Sequence, residues 1–345
     1  MPNIKMPDYD HCILNTISSI LKYYNVKTEH KTLKCLDEKL QKEYKNIVLL
    51  ILDGMGEHIL NRLSPNGFFY NKKVDCVTSV FPSTTTAALT TYYSGKPPYE
   101  TGWIAWSQYF KEYGRALDML SHKESYLGEY LKSPTIDVFE EIVNYETVFE
   151  QIEKASIDVK AYEVMPKYSE RRSKRTLVAD NIDEIIENIE LLCENPGKKF
   201  IMAYSDKPDA TLHKFGAYSD EAKDFIIEAE TKVEKMCKNL DEDTLLIISA
   251  DHGHRDIEKA YSMTNPTVTG ILQNLEKNNW IERIENPNDA RSKVIKLTKK
   301  ALKQKEELYN LGDNLEKEFT KGLNKTEQNR LNELLNKLFY SIKEV

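Results

Sequence analysis

The apolar positions of this chain fall into two patterns, and their order sets the first expectation. Residues 12–24, CILNTISSILKYY, repeat them at helical spacing and predict a leading helix. NIVLLILDGMG, residues 46–56, is a short unbroken apolar run closed by Asp and Gly, as in a strand buried on both faces. VDCVTSVF (74–81) reads as a second strand; IDVKAYEV (157–164), KKFIMAYSD (198–206) and DTLLIISAD (243–251) read as further ones. PSTTTAALTTYYSG (82–95) predicts a helix entered through Ser and Thr and stopped by Gly, and helices are also expected over 181–194 and 219–238. Strand alternating with helix predicts an α/β fold, a mostly parallel sheet covered by helices. Ligands of such sheets bind outside the carboxyl ends of the strands, where Asp53, the 205–209 segment and Asp251 would meet.

From about residue 262 the texture changes. Gly becomes scarce, and His and Cys stop. A helix is expected over about 264–277, two strand-like segments, WIERIEN and SKVIKLT, flank PNDAR, and two long amphipathic helices follow at 298–320 and 325–343. The expected organisation is an α/β domain over 1–260, C-terminally truncated, and an α+β winged-helix fragment over 262–345, joined without a linker.

Composition narrows the class. The 345 residues carry a net charge of −7, which argues against a protein that coats nucleic acid along its whole length. The charge is uneven: about +3 over 262–345 and about −10 before it. Five scattered cysteines with no CxxC pair suit reduced thiols in a cytoplasm. The first residues lack a signal-peptide run, and no segment approaches the roughly 20 apolar residues that span a bilayer. A cytoplasmic protein without a membrane partner is expected.

Four motifs carry chemistry. Asp53 lies in LDGMG, Thr85 in FPSTTTAAL, Asp209 and His213 in YSDKPDATLHKFG, and Asp251 and His252 in SADHGH. Each alone has an ordinary reading: a loop Asp, a helix cap, a surface His. Together, at successive strand ends, carboxylates and imidazoles suit zinc or a similar divalent ion. Two such ions about 4 Å apart can clamp the attacking and leaving oxygens of a phosphoryl transfer. A Thr hydroxyl beside one of them becomes a nucleophile.

These motifs resemble the alkaline phosphatase superfamily, in particular its nucleotide pyrophosphatase/phosphodiesterase-like branch, over about residues 8–260. The resemblance implies Thr85 as nucleophile, one metal on Asp53, Thr85, Asp251 and His252, and a second on Asp209 and His213. It implies two divalent ions, zinc by preference and manganese as the alternative, and a phosphate-containing small-molecule substrate. Two departures stand out. The family supplies a further His to the second metal, well downstream of DHG, and this chain has none after His254. His254 is the candidate substitute, although the intervening Gly leaves its direction open. Trp106 stands near the place of an Asn that steadies phosphate in many relatives, which puts stabilisation by that amide in doubt.

TNPTVTGILQNLEKNNWIERIENPNDARSKVIKLT resembles the C-terminal half of a MarR-type winged helix-turn-helix. That resemblance implies double-stranded DNA as a partner, with Thr267, Thr269 and Asn274 in the major groove, Asp289 and Arg291 as a wing pair for the minor groove, and Lys293 near phosphates. It also implies a homodimer through the C-terminal helices. The helices that precede the reading helix in that family are missing, so both resemblances stop at one join near 260. The first functional reading is a metal-dependent phosphoric ester or pyrophosphate hydrolase fused to a partial DNA-binding segment. The alternatives are a DNA-binding regulator with an inactive front domain, and a non-functional fusion of two gene fragments.

Overall fold

The computed structural model describes residues 6–111, 115–125, 142–169, 172–254, 272–285 and 293–303, with a few positions between 321 and 330. The chain divides into two compact units, Ile4–Arg255 and Asp256–Val345 with Met1–Asn3.

In the front unit, Ile13–Tyr23 (α1) and Lys34–Lys39 (α2) precede the apolar run Asn46–Leu52 (β1), all seven of whose residues are buried. Glu57–Leu63 (α3), Phe68–Lys72 (α4), Thr85–Ser94 (α5) and Pro98–Thr101 (α6) follow. A small antiparallel sheet comes next, built from Ser107–Phe110 (β2), Arg115–Asp118 (β3) and Lys123–Glu124 (β4). Then come Val148–Ala155 (α7), Val159–Met165 (β5), Thr176–Val178 (β6), Ile182–Glu194 (α8), Lys198–Ser205 (β7), Asp209–Phe215 (α9), Asp220–Asn239 (α10) and Thr244–Ser249 (β8).

The main sheet has five strands in the order β6-β5-β7-β1-β8, all neighbours parallel. Side chains alternate across a strand, so β1 feeds two cores. Ile47, Leu49 and Ile51 pack with Ile17 of α1, Tyr92 of α5 and Phe149 of α7. Val48, Leu50 and Leu52 pack with Ile59 of α3, Ile189 of α8 and Val233 of α10. A strand covered on both faces needs no polar alternation, which is why its sequence is an unbroken apolar run.

Register fixes the functional rim. Leu52 lies opposite Ser205, and Ile51 opposite Ser249. The residues just beyond these pairs, Asp53, Asp206 and Asp251, therefore leave the sheet at one edge.

One expected element is absent. The 74–81 segment is not a strand; it makes a single bridge, Cys12 to Thr78. Its backbone is taken by the start of α1: Ile13 N–H donates to Thr78 O and Thr78 N–H to His11 O. Ser79 Oγ then donates to Asp251 O at 2.6 Å, tying this segment to the rim. The small antiparallel sheet, whose strands are short, was not anticipated from the sequence.

The described part of the second unit contains an antiparallel pair, Ile281–Glu285 (β9) and Lys293–Leu297 (β10), with Leu297 opposite Ile281. Residues 272–277 are helical, and Arg283 Nε donates to Glu276 Oε2 at 2.9 Å. Most of the helices expected over 298–320 and 325–343 lies outside the described residues. No helix among the described residues is long and apolar enough to cross a membrane.

Candidate metal centre

Asp53 is the first residue past β1, and its backbone is held on both sides: its N–H donates to Ser205 O, and its O accepts from Asp209 N–H at 2.9 Å. This brings α9 against the end of β1. The space between is minimal. A Cβ on Gly54 would meet Asp209 Cβ at 2.9 Å, and Gly54 has φ +71°, so Gly is required there for room and for backbone conformation. A Cβ on Gly56 would meet Gly253 Cα at 2.6 Å. The LDGMG and DHG loops can approach this closely only because both are glycine-bearing.

Two groups of side chains result. In the first, Asp53 Oδ1 lies 3.4 Å from His252 Nε2 and 3.5 Å from Thr85 Oγ1, while Thr85 Oγ1 and His252 Nε2 are 3.0 Å apart. Asp251 Oδ1 accepts from the backbone N–H groups of Gly54 and His252. Its other oxygen, Oδ2, lies 3.5 Å from His252 Nε2 and is buried with no hydrogen-bond partner among the described residues. In the second group, Asp209 Oδ1 meets His254 Nε2 at 2.6 Å and Asp209 Oδ2 lies 3.4 Å from His213 Nε2. Asp209 and His213 stand four apart on α9 and so share a face. The His213 and His254 rings meet edge to face at 4.6 Å. Within each triad, Asp53/Asp251/His252 and Asp209/His213/His254, the candidate ligand atoms lie within 4.8 Å of one another.

Thr85 is the first residue of α5 and is buried. The Thr84 hydroxyl at the N-cap makes no capping bond, so capping does not account for the Thr-rich entry to this helix.

Electrostatics favour a cation. Burial, then the charges of Asp251 and Asp209, push the Asp53 carboxyl well above the usual carboxylate range. Burial likewise raises Asp251. Burial acts upward on Asp209 too, but the His254 hydrogen bond and the three nearby imidazoles outweigh it and hold Asp209 low. Clustered buried carboxylates with an orphaned oxygen form an arrangement that a divalent ion would relieve. The donor set, carboxylate oxygen and imidazole nitrogen, fits zinc or manganese.

A model of the family described as type I phosphodiesterase / nucleotide pyrophosphatase matches residues 47–338. The chain belongs to this family. The phosphodiesterase-family match continues to 338, past the join expected near 260. This family member is also 34% identical over 84 residues to the multiple antibiotic resistance protein MarR of Escherichia coli K12, covering 24% of this chain and 58% of that protein. Among solved structures, a MarR transcription regulator from Oenococcus oeni matches at 34% identity over 25% of this chain and 64% of that one, with a TM-score of 0.14. Murine ectonucleotide pyrophosphatase / phosphodiesterase 5 matches at 15% identity over 75% of this chain and 67% of that one, with a TM-score of 0.46. The chain spans about three-fifths of the length of the regulators it matches.

The structure thus brings together Asp53, Thr85, Asp251 and His252, and separately Asp209, His213 and His254. His254, whose direction the sequence left open, turns onto Asp209. Trp106 stands just before β2 with its side chain about half exposed, and its O accepts from Met119 N–H. Thr267, Thr269, Asp289 and Arg291 lie outside the described residues. Asn274 lies in the 272–277 helix and Lys293 begins β10. Sequence reading missed Tyr204, which is buried on β7 and donates its hydroxyl to Asp53 Oδ2 in a short contact. A Tyr near the end of a buried strand, five residues before Asp209, was the available signal.

Proposed function

We propose that the front unit hydrolyses phosphoric esters or pyrophosphates with Thr85 as nucleophile. The observation that carries this is the approach of Thr85 Oγ1 to His252 Nε2 and Asp53 Oδ1, beside the unpartnered Asp251 Oδ2. Asp53, Thr85, Asp251 and His252 would hold one divalent cation and Asp209, His213 and His254 the other, zinc by preference. Bound there, such ions stabilise charge on a transferring phosphoryl group and ease deprotonation of hydroxyl and water.

The chain's own groups do the rest. The N–H groups of the first turn of α5 point at phosphoryl oxygens. The Asp53–His252 pair holds Thr85 Oγ1 in line for attack. The Oγ1–phosphorus bond forms as the bond to the leaving oxygen breaks, and the leaving group departs with its electron pair. In net, that leaving oxygen takes up the proton given up by Thr85 Oγ1. Water then attacks phosphorus and leaves its hydroxyl there, the Oγ1–phosphorus bond breaks, and the water's other proton goes to Thr85 Oγ1. In this reading His254 takes the part of the histidine that the superfamily draws from further downstream.

The test is zinc content of the full-length chain and hydrolysis of bis(4-nitrophenyl) phosphate, with Thr85→Ala as the control. The expected result is about two zinc ions per chain and a Thr85→Ala variant without turnover. Equal activity in the variant would refute the nucleophile assignment.

A second reading concerns the tail, and the 34% identity over 84 residues to a MarR protein supports it. There Thr267, Thr269, Asn274, Asp289, Arg291 and Lys293 contact duplex DNA, and the C-terminal helices pair two chains. Such binding weakens steeply as salt rises, and Arg291→Ala weakens it further. Salt-independent binding would count against it. Free cysteines throughout the described chain support a cytoplasmic setting.

A further inference from the structure

We infer that Tyr204 is a positioning residue that limits Asp53 to a single ligating oxygen. The inference rests on the metal-site reading above. Tyr204 is 2% exposed on β7, where it pairs in register with Ile51 of β1, so its ring is fixed by the same sheet that presents Asp53. Its hydroxyl donates to Asp53 Oδ2. The other oxygen, Oδ1, is the one that faces Thr85 Oγ1 and His252 Nε2. The carboxylate is thereby divided: one oxygen is committed to the phenol and one is turned to the site.

A carboxylate with both oxygens free can take a metal through two bonds or swing between two cations. The phenol occupies one lone pair of Oδ2 and fixes the carboxylate plane, which disfavours both for Asp53 and keeps Oδ1 aimed at the point it shares with Thr85. The phenol also gives a hydrogen bond to a buried carboxylate that the charges of Asp251 and Asp209 oppose, so it offsets part of the repulsion on Asp53. Tyr168 lies within hydrogen-bonding reach of Tyr204. Tyr168, exposed past the end of β5, also donates to Asp206 Oδ2 at 3.4 Å, one residue beyond β7. Tyr204 thus acts on the site through Asp53, to which its hydroxyl is bonded.

The test compares Tyr204→Phe with the wild type and with Tyr93→Phe, all loaded with cobalt(II). Tyr93 is a second buried tyrosine, and its hydroxyl donates to Met165 Sδ instead of a site carboxylate. Freeing Asp53 Oδ2 should raise the coordination number of the buried cobalt, seen as weaker visible absorption bands. It should also lower kcat by about 10–100-fold, the usual cost of losing such a supporting hydrogen bond, with KM little changed. Tyr93→Phe should keep the wild-type spectrum and kcat. Identical spectra and kcat in Tyr204→Phe and wild type would overturn the role of Tyr204 and leave the metal site standing. A spectral change of equal size in Tyr93→Phe would overturn it as a general effect of a lost buried hydroxyl. A wild-type chain that binds no cobalt would overturn both this inference and the metal-site reading on which it rests.

Discussion

The two triads at the rim of the sheet use the same residue types and differ in how they are built. Asp53 and Asp251 follow the ends of two adjacent parallel strands and are buried, with the Asp251 side chain fully inaccessible, and His252 beside them is half-buried. Asp209, His213 and His254 stand on a seven-residue helix and on the loop past β8, and the His213 side chain is 70% exposed. In the first triad, desolvation and mutual repulsion raise the carboxylates. In the second, imidazole partners hold the carboxylate low. A cation in the first triad would therefore offset buried like charges, while one in the second would compete with hydrogen bonds already made.

The largest expected effect lies at Thr85, which belongs to the buried group alone. Thr85→Ala should reduce phosphodiester turnover on the order of 10⁴-fold or more, as loss of a nucleophile does elsewhere. Steady-state rates with zinc content measured alongside separate this from loss of the ions. Next is Asp251→Asn, which takes away the orphaned oxygen and should weaken the tighter site by at least about 100-fold in a zinc competition titration. If His213→Ala cost as much, the contrast between the triads would fail.

His254→Ala comes third. It leaves the outer triad two donors, and zinc bound after dialysis should fall from about two ions per chain to about one. Unchanged stoichiometry would show that His254 is a bystander beside Asp209. The smallest effect is on stability. Zinc at 100 times its dissociation constant should stabilise the fold by about 2.7 kcal/mol per site.

In the metal-free chain the two triads should respond to acid in opposite senses. Asp53 and Asp251 have raised folded values, so between the ordinary 3.8 and those values the folded state holds protons that the unfolded state releases. As pH falls through that window the metal-free fold gains stability. Asp209, held low, contributes stability that is lost only as pH falls below 3.8. Melting curves across this range, with and without chelator, read the balance. A metal-free fold that only loses stability on acidification would contradict the raised values.

Much of the fold was legible because period is a local property. The β1 run, the 198–205 and 244–249 strands and the long helices follow from spacing alone. The 74–81 segment shows where that fails: its β-rich composition is real, but α1 claims its backbone hydrogen bonds, and no window of sequence contains that competitor. The three short strands of the small sheet offered too few residues for a period to show.

By itself the sequence determined which side chains stand at strand ends, because an apolar run closed by Asp-Gly is a local signal. Tertiary structure decided which of them meet. The parallel register aligned Asp53 with Asp251, and the glycine contacts let the loops close. That closure turned His254 toward Asp209, and the β1–β7 register set Tyr204 behind Asp53. The physical reason is that direction at a rim is set by what crowds it, and the crowding residues lie on average far away along the chain.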